Sequence, residues 1–246
     1  MKYTYLGNKR PFVHWFIFFF VVVFALSACK KKNVYEDQQE ADVSFITFIQ
    51  SLPQYTSLDF YLGGYKTTYA LQYTQNSGDY LQSPPYIGYY SSRYLVQVGI
   101  GGTSTGIFQV AQDLVADKTY SFFVGTTSAS SDTVSAVILE DNLAAPSAGK
   151  AKIRFVNMIR GAGSYDFGVQ SAANLFAGKL YKSYTDFVEV DPGVYVYELK
   201  DAGTSTVKAS RSLTVASGKI YTVWASGGLG ASGSSVPLNL QVIVNK

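Results

Sequence analysis

The second half of this sequence repeats the first, run by run, at a shift that stays near 101–110 residues. ADVSFITFI (41–49) is echoed by AKIRFVNMI (151–159), and LDFYL (58–62) by YDFGV (165–169). RYLVQVGIGGTST (93–105) returns as VYVYELKDAGTST (194–206), and ADKTYSFFVG (116–125) as SGKIYTVWAS (217–226). VSAVILED (134–141) returns as LNLQVIVN (238–245). A period that long marks two domains in tandem, since solenoid repeats run roughly 20–50 residues. One architecture must therefore be built twice, each time from about 100 residues, enough for a sandwich with its own core.

The runs themselves name that architecture. DVSFITFI, LDFYL, RYLVQVGI, IFQVA, TYSFFVG and TVSAVIL are short, rich in β-branched and aromatic residues, and separated by Gly, Ser, Pro and Asn clusters. No stretch carries sustained helical spacing with caps. Short strands at roughly ten-residue intervals predict an all-β chain of two immunoglobulin- or prealbumin-like antiparallel β-sandwiches. The expected domains are 41–141 and 150–246, joined by NLAAPSAG (142–149), an uncharged link containing Pro146.

The residues before the repeats set an address. Lys2, Lys9 and Arg10 precede an unbroken apolar run from Phe12 to Leu26, too short for the roughly 20 residues of a spanning helix. A basic start, a short apolar core and small residues at its end describe a secretory signal over 1–28. Leu26-Ser27-Ala28-Cys29 resembles the bacterial lipobox, and the sequence's single cysteine stands at its last position. That resemblance implies cleavage before Cys29 and acylation of the cysteine. Several acyl chains, each methylene contributing about 0.8 kcal/mol, make such an anchor effectively permanent. KKKNVYEDQQE completes a tether over 29–40; its eleven residues at roughly 3.3 Å each reach about 36 Å. The expected location is the outer membrane, with the lipid on Cys29 as the membrane contact.

Cleavage also reshapes the chemistry. His14, the sole histidine, leaves with the signal, and the balance from Cys29 onward becomes 17 basic against 17 acidic residues. No basic surplus remains to release counterions from nucleic acid. Without imidazole or a free thiol, histidine triads, cysteine nucleophiles and His/Cys metal or haem sites have no ligands or bases. No cofactor or metal is expected. Charge nevertheless divides: 41–141 holds three basic and eight acidic residues, and 150–246 holds eleven and six, net charges of −5 and +5. The two halves, or neighbouring molecules, are expected to attract each other.

AKIRFVN, YDFGV, DFVEVDPGVYVYEL and LTVASGKIYTVWASG together resemble the domain-of-unknown-function family 4397 over residues 151–226. The first copy departs from that pattern, with Ser91-Ser92 for Pro192-Gly193 and Thr47 for Asn157, and reads as a diverged member. The resemblance implies an exported or surface-anchored β fold and brings no reaction with it.

Three patterns could carry chemistry. GLGASG (228–233) is a literal G-x-G-x-x-G, but Pro237 and a strand-like run follow where a dinucleotide site needs a helix, so it reads as a hairpin loop. STVK (205–208) lies in a strand-like stretch, where residues three apart face opposite ways. The recurring Asp59 and Asp166, with Glu189 and Asp191, are the available acid–base groups. A carboxylate-dependent glycan hydrolase is the alternative they leave open, but no spacing among them demands a cleft. Structural roles fit them better.

Aromatics remain. DYLQSPPYIGYYSSRY (79–94) gathers tyrosines around a double proline, and Tyr86, Tyr89, Tyr90 and Tyr94 are the candidate ligand contacts. Tyrosine joins a flat apolar face to a polar tip, which suits sugars or protein surfaces. Alternation puts Tyr86 and Tyr90 on one face and Tyr89 on the other. The expected function is a non-enzymatic, lipid-anchored binding or structural module for a polysaccharide or an envelope protein. Envelope assembly without a small ligand is a further alternative.

Overall fold

Four four-stranded sheets make up the described molecule, two in each sandwich. The computed structural model describes residues 42–81 and 85–246; the expected signal, Cys29 and the whole of the tether lie outside that range. In the first sandwich the strands are β1 (Val43–Gln50), β2 (Ser57–Leu62), β3 (Tyr65–Gln72), β4 (Ile87–Tyr90), β5 (Ser92–Ile100), β6 (Gly106–Leu114), β7 (Thr119–Thr126) and β8 (Val134–Glu140). One helical turn, α1 (Gly78–Leu81), lies between β3 and β4. The second holds β9 (Ala151–Asn157), β10 (Tyr165–Val169), β11 (Asn174–Lys179), β12 (Val188–Val190), β13 (Gly193–Asp201), β14 (Val207–Val215), β15 (Ile220–Leu229) and β16 (Ser235–Val244).

Sheet order in the first sandwich is β3-β2-β5-β6 against β4-β1-β7-β8, and in the second β11-β10-β13-β14 against β12-β9-β15-β16. The topology is the same, strand for strand. All six expected runs of the first copy fall in strands. β3 and β4 add two more, which polar and exposed edge residues such as Tyr65 and Tyr69 had disguised. Pairing is antiparallel except where β1 meets β7 and β9 meets β15, which run parallel. A parallel pair needs a long crossover, and here strands two to six of each sandwich supply it.

Parallel pairing also fixes which residues correspond. Ile46 stands beside Tyr120 and Ile153 beside Tyr221. Tyr120 and Tyr221 correspond, so Thr47-Phe48-Ile49-Gln50 matches Arg154-Phe155-Val156-Asn157. The sequence alignment of this strand was three residues out of register, an odd slip that exchanges faces. The counterpart of Asn157 is Gln50 rather than Thr47, and its bonding is preserved. Gln50 Oε1 accepts from Leu52 N at 2.8 Å, and Asn157 Oδ1 accepts from Ile159 N at 3.0 Å.

Three apolar cores hold the stack together. Phe48, Phe60 and Phe122 centre the first sandwich, and Phe155, Phe167 and Tyr197 the second. A third core joins Ile49, Phe123, Val137 and Leu139 to Val156, Met158, Trp224 and Ile243. It lies between the inner sheets, so the sandwiches are fused into four layers. Equivalent positions meet: Phe123 packs edge-on against its counterpart Trp224, with centroids 5.7 Å apart. Apolar residues on both faces of β7 and β15 are what a sheet covered on both sides requires.

Candidate functional site

The expected charge attraction is realised at this internal interface. Arg154 and Asp141, both buried, pair at 2.6 Å. Around them runs a closed ring of hydrogen bonds. Arg154 Nε donates to Thr222 Oγ1 at 2.8 Å, and Thr222 Oγ1 to Asn245 Oδ1 at 2.7 Å. Asn245 Nδ2 donates to the Tyr86 hydroxyl, which donates to Asp141 Oδ2, both at 2.6 Å. Ser121 also donates to Asp141 at 2.6 Å, as its counterpart Thr222 does to Asn245. Arg160 forms a second clasp, reaching Gln54, Ser131 and Asp132 of the first sandwich at 2.6–2.9 Å. Gly228 (φ +87°) is required there, because a Cβ would stand 1.8 Å from the Arg160 carbonyl. The glycine-rich stretch that begins with it closes the β15–β16 hairpin.

Tyr86 therefore leaves the set of ligand contacts. Only 8% exposed, it is spent inside the ring, where burial and the neighbouring Asp141 push its hydroxyl pKa up. Tyr89 packs on the first core and meets Tyr94 edge-on at 6.1 Å. Tyr94 donates to the Tyr90 carbonyl at 2.9 Å. Tyr90 alone of the four stands out into solvent, 70% exposed. The four tyrosines do not converge on one surface.

The recurring carboxylates are braces. Asp59 Oδ1 accepts from Ala70 N at 2.6 Å, and Oδ2 from Gly102 N at 3.2 Å and Lys66 Nζ at 2.8 Å. Asp166 Oδ1 accepts from Gly178 N at 2.7 Å, and Oδ2 from Gly203 N at 2.9 Å and Asn174 Nδ2 at 3.0 Å. Each pins an edge-strand bulge to a hairpin turn. Burial raises the Asp59 pKa, but these hydrogen bonds and the Lys66 charge outweigh it and hold the carboxyl below its usual value. Glu189 accepts from Ser147 N at 2.7 Å and Asp191 pairs with Lys150 at 2.7 Å, so both tie down the link between sandwiches. Among the described residues no cluster of acidic, histidine or cysteine side chains could hold a metal ion.

Two pockets of about 320 and 420 Å³ lie beside the link between the sandwiches and are lined in part by charged side chains. A third, uncharged groove of about 330 Å³ opens on the outer sheet of the first sandwich. Tyr61 of β2, Gln97 and Gly99 of β5, and the Thr103-Ser104-Thr105 turn line it. Leu58, Phe60 and Leu62 turn into the core, so alternation turns Tyr61 outward. Lys66 flanks the ring, its Nζ 5.3 Å from the centroid, while Asp59 neutralises it. A Cβ on Gly99 would come within 3.1 Å of the Thr105 carbonyl and 3.7 Å of the Tyr61 ring. Glycine thus keeps the groove open. Reading tyrosine density along the chain missed it, because its residues come from two strands and a turn.

A family model described as "Domain of unknown function (DUF4397)" matches residues 44–168, a little over half of the chain. The chain belongs to that family. The match covers the first sandwich and enters the second, where the sequence pattern had pointed instead to 151–226. No curated protein matches. Among solved structures, the family CBM26 module CBMbc of Eubacterium rectale Amy13K, crystallised with maltoheptaose, is similar at 11% identity and a TM-score of 0.25. The alignment covers 81% of this chain and 95% of that one. At that TM-score the likeness carries no argument about a ligand.

Proposed function

We propose that this protein is a lipid-anchored, non-catalytic envelope module whose two sandwiches, both copies of the family domain, present a polysaccharide-binding surface away from an outer membrane. One observation carries the reading. The carboxylates that recur in both copies are consumed as braces, while an uncharged, aromatic-sided groove stays accessible on the outermost sheet. A hydrolase needs two carboxyl groups facing one cleft, one of them held protonated. Asp59 is held ionised, which is the opposite of a general acid. The acyl chains on Cys29 and the tether would set the module off from the lipid.

Two measurements test this. Intact-mass analysis of membrane-extracted protein is expected to find the chain beginning at an acylated Cys29; an unmodified cysteine behind a retained leader would refute the anchor. Incubation of the extracted protein with a polysaccharide panel is expected to give retention with no shortened products. Released oligosaccharides would establish the hydrolase instead, and capture of an envelope protein with no glycan retained would favour assembly.

A further inference from the structure

We propose that the groove between β2, β5 and the β5–β6 turn binds a neutral glycan chain, with Tyr61 as its stacking platform. The inference rests on the binding-module reading and gives it a site and a ligand class. Four features carry it. The volume of about 330 Å³ falls at the lower end of the roughly 300–1,000 Å³ of small-molecule sites, room for one or two sugar rings of a longer chain. No lining residue is charged, and the adjacent Lys66 is cancelled by Asp59 at 2.8 Å, so nothing favours an acidic sugar. Among the described residues, the Gln97 amide and the Ser104 and Thr105 hydroxyls have no protein partner and can exchange hydrogen bonds with sugar hydroxyls. Tyr61 supplies an apolar ring for the C–H face of a pyranose.

The second sandwich supplies an internal control. Its turn repeats Thr-Ser-Thr (204–206), yet Gly168, Glu198 and Lys200 replace Tyr61, Gln97 and Gly99. Glu198 and Lys200 pair at 3.1 Å across the space that Gly99 leaves empty. Gly168 sits so close beneath β11 that a Cβ would lie 2.8 Å from the Asn174 Cα. The frame is kept and the site is absent.

The test uses full-length protein in detergent, run by affinity electrophoresis through neutral glucans, mannans and xylans, and through polymers of uronic acids. Retardation by at least one neutral polymer is expected. Tyr61→Ala should weaken it about tenfold. Gly99→Val should abolish it by filling the groove, with Tyr90→Ala and Glu198→Gln leaving it unchanged. Melting curves identify any variant that fails to fold, and Gln97→Ala, at a half-buried position, then replaces it. Retardation that survives Tyr61→Ala and Gly99→Val would overturn the site and spare the binding-module reading. Retardation by uronic-acid polymers alone would overturn the ligand class. No retardation by any polysaccharide would overturn both.

Discussion

The two sandwiches share a skeleton and differ in what they show to solvent. Both keep the aspartate brace, a side-chain amide at the end of the first strand and the Thr-Ser-Thr turn. On the outer sheet, one copy carries Tyr61, Gln97 and Gly99, and the other Gly168, Glu198 and Lys200. Positions that satisfy buried backbone groups are costly to change, because an orphaned donor loses its water without gaining a partner. Outward positions on a finished sheet carry no such obligation. The inner faces diverged in a third way, toward each other, so that acidic Asp141 of one copy meets basic Arg154 of its neighbour.

The largest expected effect breaks that meeting. Asp141→Ala leaves Arg154 buried and unpaired and should cost about 3–5 kcal/mol in urea unfolding. Trp224 is the only tryptophan after Trp15 and lies in the third core, so its fluorescence reports on the interface directly. Replacing the pair together, Arg154→Met with Asp141→Leu, removes the unpaired charge and should recover part of the loss. The remainder reflects the Tyr86 and Ser121 hydroxyls, which still lose their acceptor. A single Asp141→Ala change that leaves the transition in place would mean that the halves are stable without their clasp.

Next come the two braces, which should behave alike if the copies share a skeleton. Asp59→Ala and Asp166→Ala each strip part-buried, charge-assisted hydrogen bonds from two backbone N–H groups and should each cost about 2–3 kcal/mol. Unequal losses would show that one copy leans on the brace more than the other. For Asp59 there is also a pH signature. Its folded pKa lies below the unfolded value near 3.9, so the folded state binds fewer protons at mildly acidic pH. The stabilisation is complete above about pH 5 and lost as pH falls through the folded pKa. The gap between wild type and Asp59→Asn should therefore be constant at neutral pH and close in acid.

Much of this frame was legible before the fold. Alternation located six strands of the first copy, and the repeated Asp59 and Asp166 stood out as structural positions. The third core was legible too, but in a signal left unread: SFFV in β7 and TVWA in β15 do not alternate, which marks strands buried on both faces. The register of β1 was lost for a different reason. Phe45 and Phe155 align by type, yet Phe45 is 42% exposed while Phe155 is fully buried, and only the pairing partner tells them apart. The groove was the least legible. Tyr61 lies 36 residues before Gln97 and shares nothing with it or with Ser104 until β2 and β5 pair, whereas Tyr86 to Tyr94 crowd together in the chain and scatter in space.

The smallest expected effect separates the copies most finely. Tyr120 and Tyr221 hold the corner before β7 and β15, each by a hydroxyl turned back on the preceding loop. Tyr120 accepts from Val115 N at 3.3 Å. Tyr221 accepts from Ala216 N at 3.0 Å and also donates to the Thr214 carbonyl at 3.4 Å. A neutral hydrogen bond contributes about 0.5–1.5 kcal/mol, and Tyr→Phe keeps the ring in its core. Tyr120→Phe should therefore fall near the low end of that range and Tyr221→Phe near the high end, measured as paired shifts in urea midpoint at constant slope. If Tyr120→Phe proves the costlier, the corner of the first copy is held more tightly than its single long bond implies. The skeleton would then be shared in outline and weighted differently in each half.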